Sequence, residues 1–384
     1  MKDSGNSGSV TMAAAPLTKV AKVIMGQSPP GETYNEDGEG LPLLNGPTEF
    51  GSTSPDCTQF TTDSQRECEA GDLIFCVRGS TTGRMNWADI KYSLGRGVCG
   101  ISGETPAETR FIRYCIEDKL HALLQLAGGG TFPNLTKDDI EEFEIPWPEN
   151  RMRIAGILSA YDELIENSQR RIRILETMAR ALYYEWFVHF RFPGHEKLPR
   201  VASSLGDIPR GWEVRTVEEL VMRIPVGKKY AQKTVNVKGT VPVLDQGKSG
   251  IIGYHDDEPG VVASESSPVV VFANHTCYQR LVHFPFSAIQ NMLPFVPSPS
   301  LPRNIYWLYQ ATNGLVVFND YKGHWPEFAA KNLVVPPANV CQHFGDFVIP
   351  LSHQILKQER AIENLRRTRD LLLPRLLSGQ MKLG

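Results

Sequence analysis

Residues 154–186 read IAGILSAYDELIENSQRRIRILETMARALYYEW, and this stretch decides the fold. Its seam positions step alternately by four and three residues from Ile154 to Trp186 without losing the period. A repeat of 3.5 residues sustained this far predicts one long helix with a narrow apolar seam. A helix from residue 151 to about 189 would be about 60 Å long at 1.5 Å per residue.

The same pattern returns 190 positions later, in residues 344–376, FGDFVIPLSHQILKQERAIENLRRTRDLLLPRL. Both copies carry a polar residue at the same step, Ser168 and Gln358, and both weaken again at Ala179 and Arg369. Shared interruptions at matching positions indicate a duplicated unit. The predicted seam comprises Ile154, Leu158, Ile165, Ile172, Leu175 and Leu182 in the first copy, and Val348, Ile355, Ile362, Leu365 and Leu372 in the second.

Such a seam needs a partner helix with the same seam, unless the helix simply packs on its own domain. The nearest partner is the other copy. Because a whole domain intervenes, the two helices can lie antiparallel and relate the halves by a pseudo-twofold axis. The alternative is pairing across a homodimer.

Composition sets broad limits. The 384 residues suit two or three domains, and a hydrophobic fraction of 41% is ordinary for a globular protein. A net charge of -3 gives no global attraction to a polyanion, so any such binding must come from local patches. Seven cysteines without a CxxC pair predict reduced thiols and a cytoplasmic location. No stretch predicts a membrane helix or a signal peptide.

The rest of the chain is punctuated by Gly, Pro, Asn and Ser, which predicts strand-rich domains with long loops, an α+β fold. Helices are expected at 117–126 and from Thr136, whose hydroxyl can cap the amide of Asp139. Pro374 is expected to bend or stop the last helix. Apolar runs predict strands at 72–77, 98–101, 111–115, 143–145, 240–244, 260–263, 268–273 and 315–318. The predicted layout is a flexible tail (1–16), a first domain (17–150), a central helix (151–190), a linker (191–211), a second domain (212–340) and a distal helix (341–384).

Catalytic motifs are missing from the sequence. It contains no HExxH, no GxxxxGK[ST] loop and no GxSxG elbow. The pairs His275-x-Cys277 and Cys341-x-His343 lie too far apart to resemble a usual zinc site, so we predict no metal site. The sequence favours a binding protein over an enzyme.

Local charge is uneven. Residues 32–72 hold ten acidic residues against one Arg, whereas residues 76–113 hold six basic residues against three acidic ones. Residues 222–248 hold six basic residues against Asp245 alone. Each domain is therefore expected to have one basic face, interleaved with Ser, Thr, Asn, Gln and Tyr.

Arg and Lys contact phosphate or guanine, and the polar side chains exchange hydrogen bonds with base edges. A merely soluble surface has a similar composition, but two similar basic domains held by a rigid rod suit two half-sites on one DNA duplex. The candidate DNA contacts in the first domain are Arg78, Thr81, Arg84, Tyr92 and Arg96. Those in the second domain are Lys228, Lys229, Tyr230, Lys248, Asn274 and His275.

Several motifs resemble the specificity (S) subunits of type I restriction-modification systems. Gly26-Gln27-Ser28-Pro29-Pro30 is similar to the opening of one of their target recognition domains, and Thr131-Phe132-Pro133-Asn134-Leu135-Thr136 to its close. Ile154-Ala155-Gly156-Ile157-Leu158 resembles the start of their central helix. Residues 364–379, NLRRTRDLLLPRLLSG, resemble the distal helix and are the most specific match. In the second domain, Gly253-Tyr254-His255 and Phe272-Ala273-Asn274-His275-Thr276 resemble another recognition-domain type.

The resemblance implies a non-catalytic subunit with two target recognition domains and an antiparallel coiled coil. Such a subunit binds a bipartite double-stranded DNA target, one half per domain, and recruits two methyltransferase (M) subunits and the restriction (R) subunits. S-adenosylmethionine, Mg and ATP are then expected on the partners, with no cofactor in this chain. A coiled-coil scaffold that does not read DNA is the alternative.

Overall fold

The computed structural model describes residues 13–51, 53–128, 133–247, 250–320 and 322–381. The chain divides into two compact units: unit 1 comprises residues 1–167 with 361–384, and unit 2 comprises residues 168–360. No helix within the described residues is long and apolar enough to cross a membrane. All seven cysteines are free thiols, and five of them are buried.

Two long helices run through both units, α5 (Arg151–Tyr183) and α9 (Ala338–Leu377). In unit 1, Ile154 and Leu158 of α5 share a core with Leu373 and Leu376 of α9. In unit 2, the opposite ends of the helices meet. The Trp186 ring, just beyond α5, lies 5.7 Å from the Phe347 ring. Within unit 1, Asp162 lies after Leu158 in α5 and bonds Arg369, which lies before Leu373 in α9, so residue numbers rise along one helix as they fall along the other and the predicted antiparallel pairing within one chain is confirmed.

The ends of these helices differ from the prediction. Helix α5 stops at Tyr183 and continues as one π-helical turn, Tyr184–Val188. Helix α9 begins at Ala338, before the predicted start at 341, and passes through Pro374 to Leu377. Pro374 has no amide to donate to the Asp370 carbonyl, yet the helix continues for three residues beyond it, so the expectation that it stops the helix was wrong.

Unit 1 contains eleven described strands and four short helices besides the long ones. The strands are β1 (Ala14–Pro16), β2 (Lys22–Met25), β3 (Tyr34–Asn35), β4 (Leu41–Leu44), β5 (Phe60–Thr61), β6 (Glu67–Cys68), β7 (Leu73–Cys76), β8 (Met85–Trp87), β9 (Tyr92–Leu94), β10 (Val98–Ser102) and β11 (Glu144–Pro146). The helices are α1 (Leu17–Val20), α2 (Pro106–Asp118), α3 (Leu120–Gln125) and α4 (Lys137–Glu141). Strand β1 occupies the end of the segment predicted as a tail, and residues 1–12 lie outside the described part.

Unit 2 contains twelve described strands and three short helices. The strands are β12 (Arg200–Ser203), β13 (Gly206–Pro209), β14 (Glu213–Thr216), β15 (Val221–Arg223), β16 (Lys229–Tyr230), β17 (Val241–Leu244), β18 (Ile251–His255), β19 (Val269–Ala273), β20 (Gln279–Val282), β21 (Ser287–Ile289), β22 (Met292–Pro297) and β23 (Asn332–Val335). The helices are α6 (Val217–Leu220), α7 (Ile305–Thr312) and α8 (Trp325–Ala329). The predicted linker contains the β12–β13 hairpin.

The two units share one strand topology. Each has a four-stranded sheet, ordered β2-β10-β7-β8 in unit 1 and β15-β22-β19-β20 in unit 2. Each also has a second sheet with a central parallel pair, β4 with β9 and β17 with β21. The duplication predicted from the helices therefore extends to the strand-rich parts, and the predicted α+β class is confirmed.

Some predicted elements were wrong. Residues 111–115 are not a strand but the middle of α2, which the Thr105 hydroxyl caps by accepting the Glu108 amide, with Pro106 in the first turn. Residues 260–263 make only a single bridge, Val261 to Phe286. Residues 315–318 form no strand. The Thr136 cap is confirmed, since its Oγ1 accepts the Asp139 amide at 3.2 Å.

Candidate nucleic-acid interface

Three arginines meet at one end of the four-stranded sheet in unit 1. Strand β7 runs antiparallel to both β8 and β10, so β7 ends where they begin. The Cys76 amide donates to the Arg84 carbonyl at 2.8 Å, and the Val77 amide donates to the Gly97 carbonyl at 2.9 Å. We call the exposed residues Arg78, Arg84 and Arg96 the arginine rim.

Two members of the arginine rim lie just beyond neighbouring strand ends. The pairing of β7 with β10 ends at Cys76 with Val98. Beyond it, Arg78 forms a bridge with Asn134, and Arg96 lies in the turn that leads into β10. Among the described residues, no carboxylate forms an ion pair with any rim arginine. The arginine rim is therefore suited to binding an anion.

Close-packed glycines fix the backbone beneath Arg96. A Cβ on Gly97 would lie 2.2 Å from the Asn45 carbonyl oxygen, and one on Gly95 would lie 2.9 Å from the Leu44 carbonyl oxygen. Gly26 packs against the same turn, since its Cβ would lie 2.1 Å from the Gly95 carbonyl oxygen. Only glycine fits such approaches. The turn that carries Arg96 is thus closely packed.

Two other predicted contacts in unit 1 lie elsewhere. Tyr92 is only 3% exposed, and its hydroxyl donates to Asp89 Oδ1 at 2.6 Å. Burial and this bond raise the pKa of Tyr92. Its prediction as a DNA contact was wrong, because the side chain is part of the core. Thr81 is half-buried, with Oγ1 3.8 Å from Cys76 Sγ, and lies in the loop between Arg78 and Arg84.

At the corresponding end in unit 2, Asn274 and His275 have structural roles. Asn274 Oδ1 accepts the Trp325 amide at 2.8 Å. His275 Nδ1 lies 2.9 Å from the Lys322 carbonyl, and its Nε2 lies 2.8 Å from Asn291 Nδ2. These bonds occupy both ring nitrogens. Both side chains are half-buried and help to hold the loops together, and their role in reading bases stays a prediction.

Of the remaining predicted residues of unit 2, some are bonded to other side chains of the fold and others are exposed without an ion pair. Tyr230 is 7% exposed, stacks on His255 with ring centroids 4.2 Å apart, and donates to Asp257 Oδ2, so its prediction as a DNA contact was also wrong. Lys228 forms an exposed 2.7 Å ion pair with Asp257. Lys229 is exposed and has no ion pair among the described residues. Lys248 lies outside the described residues.

Two exposed residues at this end were not predicted. Gln290 lies in the turn between β21 and β22, and Lys322 lies beside His275. The signal that could have found Gln290 is a second internal repeat. Leu41-Pro42-Leu43-Leu44-Asn45 recurs as Val241-Pro242-Val243-Leu244-Asp245, and these strands pair with the segments that lead to Arg96 and Gln290.

The predicted seam residues are all buried or half-buried. The buried ones are Ile154, Leu158, Ile165, Val348 and Ile362, and the half-buried ones are Ile172, Leu175, Leu182, Ile355, Leu365 and Leu372. Several other apolar residues of α5 are exposed instead, including Leu164, Ile174 and Met178. Of the second pair considered for zinc, Cys341 is fully buried, and His343 packs on Trp186 and Phe347.

Comparison with known proteins identifies the class. Residues 11–177 match the type I restriction modification DNA specificity domain. The chain is 27% identical over 286 residues to the MjaIX type I restriction enzyme specificity subunit of Methanocaldococcus jannaschii, covering 68% of this chain and 66% of that protein. It is 36% identical over 167 residues to the putative MjaX specificity subunit of the same organism, covering 43% of this chain and 39% of that protein. Each match spans less than two thirds of the relative.

A solved structure agrees in fold. The S subunit of a type I restriction-modification system from M. genitalium aligns over 100% of this chain and 99% of its own, with a TM-score of 0.57 and 17% identity. Residues 11–177 therefore carry a type I restriction modification DNA specificity domain, and the chain is similar to type I specificity subunits over 68% of its length. The resemblance drawn from its sequence is confirmed.

Proposed function

We propose that the chain is the DNA sequence-recognition subunit of a type I restriction-modification complex, in which each unit binds one half of a bipartite target. The observation that carries the proposal is the arginine rim. Three exposed cations lie at the ends of neighbouring strands, and close-packed glycines hold the turn that carries Arg96. Such a group suits phosphate oxygens or the paired acceptors of guanine.

Unit 2 supports a second, chemically different contact. Its matching sheet end presents the exposed Gln290 and Lys322, and the exposed Lys229 lies on β16 of the neighbouring sheet, paired with Ala288 two residues before Gln290. A lysine contacts phosphate as a point charge, and a glutamine can bond a base edge. Two units of one topology with different side chains at the same end suit two half-sites of different sequence.

The long helices supply the proposed partner surface. The exposed apolar residues Leu164, Ile174 and Met178 on α5, and Leu371 on α9, lie outside the seam. Exposed apolar side chains on a helix are available to pack against another protein. We assign these surfaces to two methyltransferase subunits, with restriction subunits joining the full complex. In this proposal S-adenosylmethionine, Mg and ATP are held by the partners, and this chain contributes recognition without catalysis.

The test is to map methylated adenines in host DNA with and without the gene for this chain. The proposal expects one split motif that disappears when the chain is removed and returns when it is restored. An unchanged methylation map would contradict the proposal. Purification of the chain with unrelated partners and no methyltransferase would favour the scaffold alternative.

A further inference from the structure

Arg96 in unit 1 and Gln290 in unit 2 occupy equivalent positions relative to the strand ladders of their units. In the parallel ladders, Leu44 pairs with Leu94 and Leu244 pairs with Ala288. Arg96 lies two residues after Leu94, and Gln290 lies two residues after Ala288. In the antiparallel ladders, Cys76 pairs with Val98 and Ala273 pairs with Met292. Arg96 lies two residues before Val98, and Gln290 lies two residues before Met292. Two ladders therefore agree on the equivalence.

Both side chains are long, exposed and without a hydrogen-bond or ion-pair partner among the described residues. Both stand on rigid turns. Beneath Arg96 the turn is fixed by close-packed Gly95 and Gly97. Beside Gln290 it is fixed by Asn291, which has a φ of 68° and whose carbonyl accepts the Asn274 amide at 3.0 Å. Recognition of a base edge requires a polar group that has no other partner and a rigid backbone that carries it.

The two side chains differ in what they can read. The arginine fork matches the O6 and N7 acceptors of guanine, whereas a glutamine amide matches the N6 donor and N7 acceptor of adenine. We propose that Arg96 and Gln290 are equivalent base-reading residues. The half-site bound by unit 1 then contains a guanine at this position, and the half-site bound by unit 2 contains an adenine. This inference rests on the proposed function of the chain.

The residues just beyond the neighbouring strand make the two contacts unequal. Arg78 lies two residues after Cys76, the last residue of β7 to pair with β10, and is exposed, so unit 1 presents two cations at this end of the sheet. The equivalent of Arg78 in unit 2 is His275, whose ring nitrogens are already bonded to Lys322 and Asn291. In this proposal, Gln290 therefore contacts its base without a second side chain from position 275. We expect discrimination in the second half-site to depend more completely on this one residue.

The experiment exchanges the two side chains. The full chain, co-purified with its methyltransferase, is used to select duplexes from a pool with randomised half-sites, and the selected DNA is sequenced. Gln290→Arg is expected to change one adenine to guanine in the second half-site only. Arg96→Gln is expected to change one guanine to adenine in the first half-site only. Each change should exceed about 10-fold in relative enrichment, the range of a bidentate base contact.

Matched control variants distinguish base recognition by Arg96 and Gln290 from a general effect of net charge. Gln354→Arg and Arg367→Gln make the same exchanges at exposed positions of α9 and are expected to leave both half-sites unchanged. Gln290→Ala, checked by thermal melting for correct folding, should relax the sequence at that position alone. If the wild-type chain selects no split sequence, the proposed function fails. If the wild-type chain selects a split sequence and the two exchanges change neither of the two bases, this inference alone is wrong.

Discussion

Arg369 of α9 bonds Asp162 of α5 in unit 1, with Nη1 2.6 Å from Oδ1. The other carboxylate oxygen of Asp162 accepts from the Tyr114 hydroxyl at 2.6 Å and lies 3.3 Å from Arg113 Nη1. The repeat of 190 residues assigns Ser352 as the counterpart of Asp162, and Ser352 Oγ lies 3.2 Å from His283 Nε2. One unit thus uses an ionic network where the other uses a neutral one.

Asp162→Ala should destabilise unit 1 by about 3 kcal/mol, because it leaves two partly buried guanidinium groups without their shared carboxylate. Urea denaturation measures the change. Glu163→Ala is the control, since the neighbouring carboxylate is exposed and makes only a 3.9 Å contact with Arg110. An equal effect of the two substitutions would show that the network has no special role.

Leu158→Ala should cost about 2 to 5 kcal/mol of stability, the range for a large-to-small change in a core. Leu158 is fully buried among Ile154, Leu373 and Leu376. The same substitution at Leu164, which is 53% exposed on the same helix, should cost less than about 0.5 kcal/mol. Calorimetric or urea unfolding compares the two. A large loss of stability for Leu164→Ala instead would show that the stabilising seam lies on the face of α5 that carries Leu164.

His283 should make unit 2 less stable in mild acid. Burial, with His353 nearby, lowers the pKa of His283 from 6.5 to about 4, against a smaller opposing effect of Glu265. The unfolded chain takes up a proton as the pH falls below 6.5, whereas the folded chain does not until about 4. The contribution is therefore present above pH 6.5 and is lost as the pH falls towards 4. At pH 5 the loss is about 2 kcal/mol.

The measurement is the difference in unfolding free energy between pH 7 and pH 5. His283→Gln cannot take up the proton and keeps a polar group near Ser352 and Tyr306, so its pH difference should shrink by about 2 kcal/mol. His121→Gln changes an exposed histidine and should leave the difference as it was. The same difference in His283→Gln as in the wild type would refute the assignment.

Gly97→Ala should weaken binding to the first half-site, because the new Cβ would meet the Asn45 carbonyl oxygen at 2.2 Å and displace the turn that carries Arg96. An overpacked site of this kind costs about 1 to 3 kcal/mol of stability. Gly46→Ala is the matched control in the same group of loops, since nothing lies within 4 Å of its added Cβ. Fluorescence anisotropy with each half-site varied separately distinguishes the outcomes.

Arg84→Ala should reduce affinity for the first half-site only, and Lys229→Ala for the second only. If the lost contact is to phosphate, the slope of log affinity against log salt should fall by about 1. Tyr92→Phe should leave DNA binding unchanged, because its hydroxyl bonds Asp89 inside unit 1. Arg367→Ala, at an exposed position of α9, controls for net charge. Equal losses at both half-sites would contradict the assignment.

Periodicity predicted what depends on local pattern. The long helices, the strands that became β7, β10 and β19, and the Thr136 cap all follow from the spacing of apolar and capping residues. Helix α2 was missed because Phe111–Cys115 reads as a continuous apolar run, and only the buried pattern of Phe111, Ile112, Cys115 and Ile116 shows a helical face. Short apolar runs do not separate buried helix from buried strand.

The candidate site could be predicted only in part. Arg78, Arg84 and Arg96 follow from local charge, but residue type does not distinguish an exposed polar side chain from one bonded inside the fold. Tyr92, Tyr230 and His275 were chosen for that reason and lie in networks instead. Gln290 was missed because its position is defined by strand register between segments far apart in sequence.

The π-helical turn at Tyr184–Val188 has a consequence for insertions and deletions near it. The extra residue in this turn lets two consecutive aromatic residues, Trp186 and Phe187, both pack against Phe344, with ring centroids 6.0 and 5.1 Å away. Removing a single residue here would restore an ordinary α turn and swing all that follows by about 100° around the axis. Natural variants should therefore tolerate length changes in the loops of unit 2 far more readily than the loss of one residue at this bend.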